Sequence, residues 1–373
     1  MEKIFLSGTG FYLPEETISN DELVNSYNKF VNRYNEKNIK KINKNLIKKM
    51  ELSSADFIDK ASGIQNRHVV NKQGILDDTR MRPLIKVRGN DTQSLQCEMA
   101  VKAGTMALKE ARKSPSQIDG VIIACSNMQR SYPAIAVEVQ NALGINGWAF
   151  DMNAACSSAV FGINAAIGSL KADLANAILV INPEIYTGHL NFKDRTSHFI
   201  FGDGCAATVI EKSEKPKNEN AYEIISGKLK TVFSNNIRNN FGFLNSCETE
   251  KRIDDDILFK QQGRKVKEDV ISIASGHILD HINEQKIHKQ NIKRLWLHQA
   301  NIHMNKSIAN LVFDHECRDL EAPLVLSEYG NTGAAGVIIC FNKYNSDLKS
   351  GDLGIICAFG AGYMVGSLIV KKL

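Results

Sequence analysis

The chain has 373 residues, 43% of them hydrophobic, 7% aromatic and 23% charged, with 46 Lys and Arg against 41 Asp and Glu. This composition excludes a disordered or collagen-like chain, and the length suggests two structural units or one duplicated unit. The net charge of +5 is concentrated in Lys29–Lys49, which carries +7 and leaves the rest at −2; a nucleic-acid binder with a basic folded face is not expected.

At the N-terminus, Ile4-Phe5-Leu6 is too short an apolar run for a secretory signal. No apolar run reaches the roughly 18 residues of a membrane span. The eight cysteines contain no Cys-x-x-Cys pair and have mostly Ala, Ile or Val neighbours, so reduced, mostly buried thiols and a cytoplasmic location are expected.

Ile39, Ile42, Leu46, Ile47 and Met50 alternate with lysines at helical spacing, which predicts an amphipathic basic helix. Helical patterns follow at Ser94–Ala111, Ile135–Ala142 and Ser157–Lys171, interleaved with strands at Asp119–Ser126, Ala177–Asn182 and Ala207–Ile210. The charged stretch Ser213–Asn220 reads as a linker. Beyond it come helices at Gly263–Asn283, Asn305–Val312 and Thr332–Asn345, and strands at Arg294–Leu297, Gly354–Phe359 and Leu368–Val370. Such alternation predicts α/β layers.

Both sides of the linker repeat one order of elements, each closing on a Gly-rich turn, Phe201-Gly-Asp-Gly204 or Phe359-Gly-Ala-Gly362. Residues 1–212 and 221–373 therefore read as two copies of one unit. In each copy one helix, opening at Cys156 or Asn331, is rich in Gly and Ala and nearly apolar all round. Such helices are buried, and their N-termini gather free N–H groups and partial positive charge.

Cys156 stands where a strand meets its buried helix, a position that favours a thiolate. His298 follows the apolar run ending at Leu297, where an imidazole can donate to an oxyanion or take a proton. Asn331 is either a helix cap or a donor to ligand. His277 and His281 have metal-pair spacing but lack a third ligand and read as a helix face. Gly8-Thr-Gly10 lacks the third glycine of a dinucleotide site, so no metal and no cofactor is expected.

Together these residues resemble the Cys/His/Asn triad of the thiolase-fold condensing enzymes, specifically the β-ketoacyl-acyl-carrier-protein synthase III family. The segments that carry the resemblance are Ala149–Ser157, Phe201–Gly204, His298-Gln-Ala-Asn301, Gly330-Asn-Thr332, Phe359–Gly362, Ser7–Pro14 and Gly63–His68. It implies a five-layered α-β-α-β-α fold of two duplicated halves, assembled as a homodimer. It further implies that Cys156 takes an acyl group from a coenzyme A thioester and that His298 and Asn331 serve decarboxylative condensation with malonyl-acyl-carrier protein in fatty-acid synthesis. The backbone N–H groups of Cys156 and Ala361 would form the oxyanion hole.

The resemblance adds Phe57, Tyr132, Gln299 and Asn301 as substrate-binding candidates, with Tyr132 reaching the partner subunit's acyl pocket. Where the family carries a Trp and an Arg that sandwich adenine, this chain has Phe57 and Ala61. Extra residues around 24–54 and 72–94 resemble those of a longer bacterial subgroup and point to a medium-chain acyl group as an alternative to acetyl. The basic segment is expected to steer the acidic carrier protein. A different acceptor, or a silent partner-binding subunit, are the other readings.

Overall fold

The structure, a computed structural model, describes residues 2–250, 252 and 254–373. Nine strands run in the order Ile292–Leu297, Leu353–Gly360, Met364–Lys372, Tyr222–Thr231, Lys3–Tyr12, Gly204–Ser213, Ala177–Glu184, Gly120–Ala124, Trp148–Met152. The two ends of this series are related. Outward from the middle, each begins with two antiparallel pairings and continues with a parallel one. Within the sheet the two halves are joined by the pairing of Phe5 with Glu223 and Leu6 with Tyr222. Among the described residues, Trp148–Met152 has no counterpart in the second half.

Helices complete five layers. Ser158–Lys171 and Ala335–Lys343 lie between the two sheet halves, and their Ala, Val and Ile side chains share one core with strand residues from both sides. Gly and Ala on these helices permit close approach to the strands, as the all-round apolar pattern requires. Leu95–Glu110 and Ile135–Leu143 cover the outer face of the first half. Gly263–Glu284 and Ile302–Phe313 cover that of the second.

Two expectations need correction. Only the second half closes on a tight hairpin, Gly360 to Met364; in the first half the paired strands are joined by residues 185–203, a long excursion that reaches the site described below. Of the predicted Ile39–Met50 helix only Ile39–Asn43 forms, and Ile39 and Leu46 are exposed. The chain turns at Asn45, which adopts a left-handed φ of 55°. It then returns along the helix Asn20–Lys37, which lay within no predicted element. Asn35 exchanges two hydrogen bonds with the Met50 backbone and Asn28 two with that of Ser53, so side-chain amides have replaced helical bonding.

His277 and His281 are buried against the sheet, where both bond to Ser367 Oγ and His281 also to Ser226 Oγ. No group of three His, Cys, Asp or Glu side chains among the described residues is placed to hold a metal. Nor is any described helix long and apolar enough to cross a membrane.

Candidate active site

A cavity of about 580 Å³ opens where the two halves meet, and Cys156, His298 and Asn331 all line it. Each is delivered by the end of a core element. Cys156 lies in the tight turn Ala155–Ser157 between the strand Trp148–Met152 and the helix Ser158–Lys171. Ala155 takes a φ of 48° there, a conformation that costs a non-glycine residue about 1–3 kcal/mol. The turn is pinned by Ser158 Oγ, which accepts from the Ala154 N–H at 2.8 Å and donates to the Ala155 carbonyl at 2.7 Å. Gly360 presses against it: a Cβ at that position would stand 2.9 Å from both Cys156 N and Cβ.

His298 is anchored by its N–H to the Cys357 carbonyl at 2.9 Å, and its ring meets Phe359 edge-on at 5.2 Å between centres. Burial lowers its imidazole to about 4, against a weaker raising contribution from the Gly333 backbone, so the side chain is neutral near pH 7. Asn331 is held by its main chain, which gives its N–H to Ile200 and accepts from the Gly202 N–H. Its Oδ1 accepts from the Gly333 N–H at 2.9 Å, leaving the amide N–H₂ as its donor group toward the cavity. Gly333 has a φ of 58°, and a Cβ there would meet the Tyr186 ring at 2.0 Å.

The thiol differs from expectation. Burial pushes Cys156 up to about 12; the Tyr186 hydroxyl opposes this, and the Glu184 charge reinforces it. The helix N-terminus alone therefore does not yield a resting thiolate, because desolvation of a sulfur charge outweighs it here.

The remaining candidates divide. Phe57 lines the cavity, and Arg195 lays its guanidinium 4.0 Å from the centre of that ring. A cation therefore does accompany Phe57, supplied from the 185–203 excursion instead of the Ala61 position. Gln299 is fully buried, donating to the Leu297 carbonyl and accepting from the Val325 N–H, each at 2.8 Å, and does not reach the cavity. Asn301 lines the cavity, but its side chain caps Ile302–Phe313 through the His303 N–H at 2.9 Å and donates to the Ala61 carbonyl at 2.7 Å. Both are spent on structure. Tyr132 is 85% exposed and outside the cavity lining. Ala361 follows Gly360 in the turn that abuts Cys156.

The two inserted regions contribute no lining residue among those described; they back its aromatic wall, with Tyr27, Val31, Ile75 and Met81 in one cluster with Phe57, Phe199, Phe201 and Phe259. Arg195, Arg264 and Lys267 line the cavity, and no described carboxylate does. Sequence reasoning missed Tyr186, whose hydroxyl is 3.1 Å from Cys156 Sγ. It also missed Glu184, which ends the wholly buried strand Ala177–Glu184 after Asn182 and Pro183. The carboxylate ending that strand was a readable signal; nothing local marks Tyr186.

Comparison with known proteins agrees with this geometry. Residues 150–231 match the family 3-oxoacyl-[acyl-carrier-protein] synthase III and residues 282–372 its C-terminal counterpart. A β-ketodecanoyl-[acyl-carrier-protein] synthase of Pseudomonas aeruginosa is 50% identical over 347 residues, covering 93% of this chain and 99% of the relative. A β-ketoacyl-[acyl-carrier-protein] synthase III of Methylococcus capsulatus is 26% identical, covering 98% of each chain. The crystal structure of 3-oxoacyl-[acyl-carrier-protein] synthase III from Aquifex aeolicus superposes over 100% of both chains with a TM-score of 0.76 at 23% identity, which establishes the thiolase fold. With half its residues shared with one such synthase across nearly the whole chain, and with two sheet halves closing on one cysteine-bearing cavity, this protein belongs to the β-ketoacyl-acyl-carrier-protein synthase III family of condensing, acyl-transferring enzymes.

Proposed function

We propose that this enzyme loads a medium-chain acyl group from a coenzyme A thioester onto Cys156 and condenses it with malonyl-acyl-carrier protein, releasing carbon dioxide and a 3-oxoacyl product. The observation that carries this reading is the convergence of Cys156, His298 and Asn331 on one cavity of about 580 Å³, a volume typical of small-molecule sites. In the first half-reaction the Cys156 sulfur attacks the thioester carbonyl. The N–H groups of Cys156 and Ala361 meet the oxyanion, and coenzyme A leaves as the free thiol.

In the second half-reaction the bond from the malonyl methylene carbon to its carboxylate breaks, leaving its electron pair in an enolate. The neutral His298 imidazole and the Asn331 amide N–H₂ donate to the enolate oxygen. The enolate carbon then attacks the acyl-Cys156 carbonyl and expels the cysteine sulfur.

Medium-chain preference is supported by the Pseudomonas relative, whose name specifies a ketodecanoyl product; two-carbon extension reaches that length from an octanoyl group. The aromatic wall backed by the inserted residues suits such a chain. Phe57 and Arg195 offer stacking surfaces for adenine, and the cationic lining without carboxylates suits its phosphates. Trp148–Met152 ends the sheet with its side chains only partly buried, and this free edge would pair with a second copy in a homodimer, bringing Tyr132 toward the partner's pocket.

The deciding measurement is intact mass after incubation with acetyl-, octanoyl- and dodecanoyl-coenzyme A, followed by malonyl-acyl-carrier protein. An octanoyl adduct formed fastest and discharged by that acceptor is expected. A stable adduct discharged only by another acceptor refutes the carrier-protein assignment.

Lys40, Lys41 and Lys44 are exposed and would draw in the acidic carrier protein over several ångströms. Replacing all three by Glu is expected to raise KM for malonyl-acyl-carrier protein by about 5-fold at low ionic strength, with the difference shrinking as salt screens it. An unchanged KM and salt dependence would remove this segment from carrier recognition.

A further inference from the structure

Cys156, Tyr186, Ser126 and Glu184 form one continuous hydrogen-bonded line. Cys156 Sγ lies 3.1 Å from the Tyr186 hydroxyl, that hydroxyl bonds Ser126 Oγ, and Ser126 Oγ reaches Glu184 Oε1 at 3.1 Å. Glu184 and Tyr186 are 1% and 3% exposed. The other partners of Glu184 are donors, the N–H groups of Ser126 and Ala334, each at 3.1 Å. When Glu184 is ionised its carboxylate is the terminal acceptor, and the donors point inward from the thiol: sulfur to Tyr186, Tyr186 to Ser126, Ser126 to Glu184.

Capping the Ala335–Lys343 helix through the Ala334 N–H accounts for one of these contacts. It does not account for a line that ends on the nucleophile, and a carboxylate buried this deeply with hydrogen bonds but no described cation beside it is costly to ionise. We propose that Tyr186 is a positioning residue that orients the Cys156 thiol and passes its proton through Ser126 to Glu184 as the sulfur attacks the acyl donor. This rests on the acyl-transfer reading above.

Atoms balance in the step. The Cys156 S–H bond breaks as the new S–C bond forms. Tyr186 takes the thiol proton and gives its own to Ser126, which gives its own to the Glu184 carboxylate. The C–S bond to coenzyme A breaks with its electron pair on the departing sulfur. The proton returns along the same line, from the Tyr186 hydroxyl to that sulfur, and coenzyme A leaves as a thiol.

The groups facing this line are few. The His189 ring lies 4.9 Å from that of Tyr186, and His298 stands across the cavity; burial lowers both to about 4. Cys125 and Cys205 face Glu184, and burial raises both thiols. Asp203, beside Glu184, is raised to about 6 by burial against its bonds from Thr187 and Val70, and Glu184 itself is raised to about 8 by burial. Of the line's own members, Glu184 is the one that changes protonation near neutral pH, and the transfer uses its ionised form, whose share grows as pH rises toward 8.

The test compares the full-length protein with Tyr186→Phe and Glu184→Gln in two assays. One is single-turnover transfer from octanoyl-coenzyme A; the other is the pH profile of Cys156 alkylation by iodoacetamide, read by peptide mass. Phe keeps the ring stacked on Phe201, whose centre is 4.3 Å away, and a thermal melt checks that fold is retained. Tyr186→Phe is expected to slow acyl transfer by about 100-fold. It should also lower the alkylation rate at a fixed pH of about 9 by about 10-fold, since the thiolate loses its hydrogen bond.

Glu184→Gln is expected to slow transfer while raising the alkylation rate at that pH, because a charge that disfavours the thiolate is gone. Unchanged transfer and alkylation in Tyr186→Phe, or faster transfer in Glu184→Gln, overturns the proposal. A wild-type protein that takes no acyl group from any donor refutes the acyl-transfer reading instead, and the alkylation profiles still judge the Tyr186 contact.

Discussion

Cys156→Ala will carry no acyl group after incubation with octanoyl-coenzyme A, and its overall condensation rate will fall by on the order of 10⁵-fold, the scale on which covalent catalysts lose activity with their nucleophile. The argument rests on isolation of the site. None of the other seven cysteines lines the cavity, Cys97, Cys125, Cys205, Cys340 and Cys357 being buried elsewhere and Cys247 and Cys317 lying outside it, so no second thiol is placed to replace the first. Alanine fits the turn, and Gly360 still has room beside it. The melt should therefore stay close to that of the wild type, which separates lost chemistry from lost fold. An acyl adduct on the variant would move the nucleophile elsewhere.

His298→Ala and Asn331→Ala should behave oppositely in the two half-reactions. Neither side chain is needed to load the cysteine, so the octanoyl adduct will form and accumulate. Condensation will drop by about 10²–10³-fold in each, the usual cost of losing one donor to a developing oxyanion. The pH dependence follows from the imidazole. With burial holding it at about 4, His298 donates as a neutral group across pH 6–8, and the penalty of His298→Ala should be constant over that range.

A penalty growing as pH falls toward 6 would show that the cation is the donor. Stability has its own sign. The unfolded chain binds a proton near the ordinary histidine value of about 6.5 while the native site resists it, so the contribution of His298 to stability is lost as pH falls from there toward 4. Urea melts at pH 7 and 5 check this.

Cys156, His298 and Asn331 could be singled out before any fold was known, because each stands at a junction written in adjacent residues and together they resemble the triad of a known family. An apolar run stops, a short polar or small-residue turn follows, and a helix starts. Gln299 and Asn301 share such a junction yet serve the backbone: the Val325 N–H and the amides opening Ile302–Phe313 needed acceptors, and neighbouring residues give no sign of that demand. The basic segment misled for a related reason. Its helical spacing was real, but the Asn28 and Asn35 side chains offered its backbone other partners.

What the sequence carried by itself was the α/β alternation and the repeated order of elements, which follow from local periodicity, and the Cys156, His298 and Asn331 candidates, which follow from motifs resembling a known family. What only the tertiary structure decided was who touches whom. Arg195 over Phe57, Tyr186 against Cys156, and Glu184 at the end of that line all join segments far apart in the chain. Such contacts depend on how the 185–203 excursion folds back over the junction of the two sheet halves, and local residue patterns carry little information about that return. The same burial then set the chemistry, holding Cys156 as a thiol and His298 as a neutral imidazole, because removing water penalises whichever form is charged.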